Sequence, residues 1–442
     1  MNISSGLKHF SLTIVAALVV SLTGSTIPAQ SPTSGPKQEH LEIPKPEELA
    51  EAGGQQPLPL EKRRNSEFVF STPKHPTLGD RYVIVTDHTD SDVLEAIDRL
   101  SDYRDGLILK VPDLAELYRN SETSLQLRGE ISNARPKYVA IIPRADSYRE
   151  NMLLHMWELL TKLDDDPQLD VFPGLLVGPD SASVIGLIDR SIDFSPLPPS
   201  DLRPFLISHV PSTRELRSLQ KAGILRIVFN RMGQTAPTLA IYNPMASTAP
   251  GLEGEQFWRE TMIQRGQFLK EIPEAAQDAF GAANFLVMHG HGSPGNSCGV
   301  DNQAIPSPCR FRVLMTGSCF SASPILSDLP AMRQAPGGLT VEKKESLAMH
   351  AIENGTTVFF GHMRLSQGFP RLYPVLHGWM AQKTVGQTYQ ELLNSVISMQ
   401  SPTLKSFVVD KTEATRRLPQ NSLLYVIIGD PALQPLAASR KN

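Results

Sequence analysis

Two histidines and a cysteine carry the most reactive pattern in this sequence. The segment Phe285-Leu-Val-Met-His289-Gly-His291-Gly292-Ser293-Pro-Gly295 is an apolar run that opens into a glycine-rich loop. Further along, Arg312-Val-Leu-Met-Thr316-Gly317-Ser318-Cys319-Phe320-Ser321 is a second apolar run, ending in small residues and a cysteine. An imidazole beside a thiol makes the thiolate available near neutral pH, and the thiolate is the nucleophilic form. In α/β sheets reactive groups gather at the carboxyl ends of strands, where loops present side chains beside free backbone N–H groups. If the two runs are neighbouring strands, His291 and Cys319 emerge at one edge.

The same residues admit plainer readings. His289 and His291 could be two metal ligands, joined by Cys298 or Asp301. The hydrolase pattern His-x-His-x-Asp-His is not completed, however, because Ser293, Pro294 and Gly295 follow. No metal is therefore expected, and His289 is read as a core residue supporting His291. Asp301 could orient the His291 ring or simply serve its own loop. Gly317-Ser318-Cys319-Phe320-Ser321 is a faint serine-hydrolase elbow that lacks the closing glycine. His350, His362 and His377 fall on helical or strand segments and are read as structural.

The elements that would position these groups alternate along the chain. Of the 442 residues, 40% are hydrophobic and 20% charged, which excludes a collagen, a coiled coil or a wholly disordered chain. A formal net charge of -4 supplies no positive field for nucleic acid. Short continuous apolar runs at 82–85, 107–109, 138–142 and 175–177 read as strands buried on both faces. Helical spacing marks the stretch after Thr89 and Asp92, 148–163 and 181–190. A proline-rich stretch, 195–204, reads as a subdomain boundary. Beyond it, strands are predicted at 224–229, 239–242, 285–288, 313–315, 358–360 and 424–428, with helices at 254–267, 343–353, 371–382 and 385–399. This order predicts an α/β fold of two adjacent subdomains, 67–200 and 201–442, with mainly parallel sheets flanked by helices.

The first residues read as an address. Lys8 precedes the mostly apolar run Phe10 to Leu22, too short for a permanent span, and small residues follow to Ala29. Residues 1–29 are thus expected to be a signal peptide, and the protein to be secreted or periplasmic, with no stable membrane span after cleavage. Residues 30–66 are rich in proline and charge and read as a disordered linker, or as a propeptide ending near Lys62-Arg63-Arg64. Export bears on the three cysteines. In an oxidising compartment an odd count leaves one thiol free. Cys298 and Cys309, which bracket the loop between the two reactive runs, are expected to pair, adding about 2–3 kcal/mol. Cys319 would remain the free thiol.

These motifs resemble the gingipain family, within the caspase–legumain–gingipain clan of cysteine peptidases. Gly290-His291-Gly292-Ser293 matches that family's Gly-His-Gly-Ser, and Ser318-Cys319 its strand-end cysteine. Tyr425-Val-Ile-Ile-Gly429-Asp430-Pro431-Ala432-Leu433 matches its closing Gly-Asp-Pro-x-Leu. The resemblance runs loosely over residues 80–436. It departs at Gly178-Pro179, where the family has Gly-Arg. The resemblance implies a cysteine endopeptidase acting on proteins or peptides. Cys319 would be the nucleophile, His291 the acid for the leaving amine, and the backbone N–H groups of Gly292 and Cys319 an oxyanion hole. No cofactor is implied, and a structural calcium has no support in the sequence. The alternative is a gingipain-like domain kept for binding or scaffolding. Gly429-Asp430-Pro431 itself is read as a strand-end turn that closes the fold, its aspartate capping local amides.

Overall fold

A computed structural model describes residues 81–210, 237–242, 257–262, 268–293, 295–323, 346–364, 366, 372–400 and 422–438. The expected signal peptide, the proline-rich segment and the strand expected at 224–229 lie outside them. Among the described residues no helix is long and apolar enough to cross a membrane.

The apolar runs do form strands. In the first half these are β1 (Tyr82–Thr86), β2 (Gly106–Lys110), β3 (Tyr138–Ile142) and β4 (Phe172–Leu175). The second half contributes β5 (Pro204–Val210), β6 (Thr238–Tyr242), β7 (Phe257–Met262), β8 (Phe285–His289), β12 (Val313–Thr316), β13 (Val358–His362) and β14 (Tyr425–Ile428). Together they build one sheet of eleven strands, in the order β2-β1-β3-β4-β14-β13-β12-β8-β5-β6-β7. Three two-residue strands, β9 (Gly292–Ser293), β10 (Asn296–Ser297) and β11 (Val300–Asp301), form a separate antiparallel sheet.

Pairing is parallel from β2 to β4 and from β13 to β7, with β14 antiparallel to β13. Every residue of β1, β3, β12, β13 and β14 is buried, as continuous apolar runs in a covered parallel sheet require. The strands of the two expected subdomains lie side by side in this sheet, meeting where Ile428 pairs with Leu175.

Eight α-helices link the strands: α1 (Ser91–Arg104), α2 (Ser121–Ala134), α3 (Glu150–Leu160), α4 (Ser181–Ile192), α5 (Glu274–Ala282), α6 (Leu347–Glu353), α7 (Leu372–Met380) and α8 (Val385–Gln400), counted among the described residues. In α1, Asp90 caps the start by accepting from the Asp92 N–H, and Val93, Ala96, Ile97 and Leu100 form the buried stripe. The α3 and α8 helices meet where Trp157 and Tyr389 pack edge to face at 5.1 Å, and the Tyr389 hydroxyl donates to the Tyr425 carbonyl of β14 at 2.9 Å.

Two elements differ from the sequence reading. Residues 257–262, inside the helix expected at 254–267, are strand β7, paired along β6 from Thr238 to Tyr242. Sheet pairing overrides a sequence whose Glu, Arg and Met suit a helix equally well. Strand β5 begins inside the proline-rich stretch read as a boundary. Pro204 occupies its first position, where the missing N–H is tolerated.

The seam between the halves is closed by Asp430, fully buried just after β14. One carboxylate oxygen accepts from the Tyr82 hydroxyl and the Ala432 N–H, both at 2.9 Å. The other accepts from the Arg104 guanidinium at 2.9 and 2.5 Å.

Candidate active site

Strands β8 and β12 are direct parallel neighbours, in register from Phe285 with Val313 to Met288 with Thr316. His291 and Cys319 each lie three residues beyond that last pair, so both leave the sheet at the same edge. The Gly317 N–H donates to the Met288 carbonyl at 3.3 Å, tying the two exits together.

Two glycines set the loop's path on either side of His291. Gly290 has φ +149, and a Cβ there would stand 2.7 Å from the His209 carbonyl oxygen at the end of β5. A Cβ on Gly292 would stand 2.6 Å from the Cys319 carbonyl oxygen and 2.7 Å from Ser318 Cβ. Only glycine permits both approaches. The chain bearing His291 is thus pressed between the end of β5 and the turn that carries Cys319.

That turn is itself constrained. The Thr316 and Ser318 hydroxyls lie 2.8 Å apart, and the Ser318 N–H donates to Thr316 Oγ1 at 3.0 Å. Phe320 has φ 58, a conformation rare for a bulky side chain. Its N–H donates to the Arg364 carbonyl at 2.9 Å, and the Ser321 hydroxyl donates to the Ser318 carbonyl at 2.9 Å. On the far side, the Tyr148 hydroxyl donates to the Ala322 carbonyl at 3.1 Å, and Arg364 pairs with Glu150. The half-buried Cys319 sulfur accepts from the Ser366 N–H at 3.2 Å and lies 3.3 Å from the Ser366 hydroxyl. No hydrogen bond joins Cys319 to His291 among the described residues.

The three histidines at this edge differ in environment. His291 is exposed, with its ring edge-on to that of His209 at 6.4 Å. Burial, and secondarily the neighbouring His291, hold His209 and His289 below the ordinary histidine value. The Nδ1 atoms of both are buried without a hydrogen-bond partner among the described residues. Around neutral pH these two rings are therefore neutral, leaving His291 as the solvent-facing imidazole.

The pairing expected of Cys298 and Cys309 is absent among the described residues, and the remaining candidates face other partners. Cys298 and Cys309 are free thiols in different surroundings. Cys298 is fully buried against the side chains of Thr316 and Ser318, and burial pushes its thiol up to about 12. The Cys309 sulfur accepts from the Phe311 N–H at 3.3 Å and lies 3.6 Å from Thr356 Oγ1. The two sulfurs thus face different partners, Cys298 beside the β12 end and Cys309 beside Phe311 and Thr356. Asp301 caps its own 3-10 turn, accepting from the Gln303 N–H at 2.9 Å, and is not bonded to His291. Ser318 is fully buried, which removes it as a nucleophile. Among the described residues, the group of acidic, histidine or cysteine side chains close enough to share a metal ion is the exposed Asp164, Asp166 and Asp170, which includes neither His289 nor His291.

Two neighbours escaped the sequence reading. His209 follows Phe205-Leu206-Ile207, an apolar run leading to a histidine just as β8 does, but the prolines before it masked the strand. Ser366 had no local signal, since its contact with Cys319 spans 47 positions.

No family model matches the chain, and no curated protein matches it. Among solved structures, the chain is similar to one from the Saccharomyces cerevisiae separase-securin complex, with 12% identity and a TM-score of 0.36. The match covers 66% of this chain and 15% of that one.

Proposed function

We propose that the protein is an exported cysteine endopeptidase of the gingipain-like kind, with Cys319 as nucleophile and His291 as general acid. The observation that carries this reading is the β8–β12 register, in which the residues with the exposed imidazole and the half-buried thiol each follow the Met288–Thr316 pair by three positions. The close fit of Gly292 against Cys319 adds to it. In the proposed reaction the Cys319 thiolate attacks the scissile carbonyl carbon. The resulting oxyanion is held by the backbone N–H groups of Gly292 and Cys319, each such donor being worth about 3 kcal/mol. His291 gives a proton to the departing amine, leaving a thioester on Cys319 that water then hydrolyses. Proteins and peptides are the substrates in this reading, in a secreted or periplasmic setting.

The experiment is alkylation coupled to activity on an unfolded protein substrate. Iodoacetamide should modify Cys319 in step with the loss of cleavage, while buried Cys298 and Cys309 stay unmodified. Cleavage that persists after complete Cys319 modification would overturn the assignment.

A further inference from the structure

The backbone beyond β13 runs beside the nucleophile turn with a regular step of two. The His362 carbonyl accepts from the Ala322 N–H at 3.0 Å, and the Arg364 carbonyl accepts from the Phe320 N–H at 2.9 Å. Ser366 is the next residue in this alternation, and its N–H points at the Cys319 sulfur, 3.2 Å away. Its hydroxyl stands 3.3 Å from the same atom. The segment is fixed from behind, because the Arg364 N–H donates to Nδ1 of the buried His362 at 3.0 Å and the Arg364 side chain pairs with Glu150.

We infer that Ser366 is a positioning residue for the nucleophile: its N–H and hydroxyl converge on the Cys319 sulfur, fix its rotamer and solvate its anionic form. This rests on the reading of Cys319 as nucleophile. Hydrogen bonds to a charged acceptor are stronger than those to a neutral one, so both contacts tighten once the sulfur carries charge. The hydroxyl is the part that side-chain replacement can remove. Ser366 is half-buried, and its truncation removes a single oxygen without opening the core.

The test is the rate of Cys319 carbamidomethylation by iodoacetamide across pH, read by peptide mass spectrometry for wild type, Ser366→Ala and Ser366→Thr. The alanine variant should react about tenfold more slowly near pH 6. The difference should close in alkali, where every thiol is ionised, and threonine should restore the wild-type profile. Matching thermal melts would confirm that the variants fold alike. An alanine profile that superimposes on wild type at every pH would overturn the inference, as would a threonine variant as slow as alanine. Alkylation needs no turnover, so the outcome is separable from peptidase activity. A slowed alanine variant of a chain that cleaves nothing would sustain the role of Ser366 and sink the peptidase reading.

Discussion

At the scale of single residues, the site is defined by what cannot be larger. The Cβ that Gly292→Ala would add meets backbone and Cβ atoms of Cys319 and Ser318, which have no flexible end to swing away. The variant is expected to lose about 1–3 kcal/mol of stability from overpacking. On the proposed mechanism, in which the Gly292 N–H meets the oxyanion, its displacement should lower peptide cleavage about 100-fold. Urea unfolding and initial-rate measurements on the same sample check both, and near-wild-type cleavage would show that this glycine does not border the reacting centre. The strand-end positions of His291, Gly292 and Cys319 were legible from the sequence because strand-end motifs are local. The fate of Cys298 was not, since a count of cysteines says nothing about which side chains a buried sulfur faces. The buried Cys298 sulfur faces the Thr316 and Ser318 side chains.

At the scale of elements, β14 and its following turn hold the two halves of the sheet together. Asp430 is fully buried and joins Tyr82 of β1 to Arg104 of α1, so its removal leaves a partly buried guanidinium without its partner. Asp430→Ala is expected to cost about 3–5 kcal/mol, measured as a shift in the urea midpoint at constant slope. A loss below about 1 kcal/mol would mean that the seam is held by apolar packing alone. The turn at Gly429-Asp430-Pro431 could be read from its residues, but its partners lie more than 300 positions away. Long-range pairing also explains the two misread elements. Residues 257–262 are drawn into a strand by β6, and β5 hides behind Pro204 although the run Phe205-Leu206-Ile207 has strand composition.

At the scale of the whole molecule, the α/β class followed from apolar runs too continuous for a half-exposed sheet, and the eleven-stranded order required the structure. Burial distributed through this fold has a measurable consequence. His88, His155, His209 and His289 are each held below the ordinary histidine value, chiefly by burial. Below about pH 6.5 the unfolded chain takes up protons that these folded sites resist, so stability should fall as pH drops through that value toward the lower folded ones. The urea midpoint is expected to be lower near pH 5.5 than near pH 7.5, and an equal or higher value at the lower pH would contradict it. The central claim is that this sheet edge cleaves peptide bonds through Cys319. Its most direct test incubates the wild-type chain and Cys319→Ala with a proteome-derived peptide library in mild reductant and reads new N-termini by mass spectrometry. Cleavage by wild type alone, with a consistent residue before each cut, is the expected result. Cleavage by neither protein, or equal cleavage by both, would contradict it.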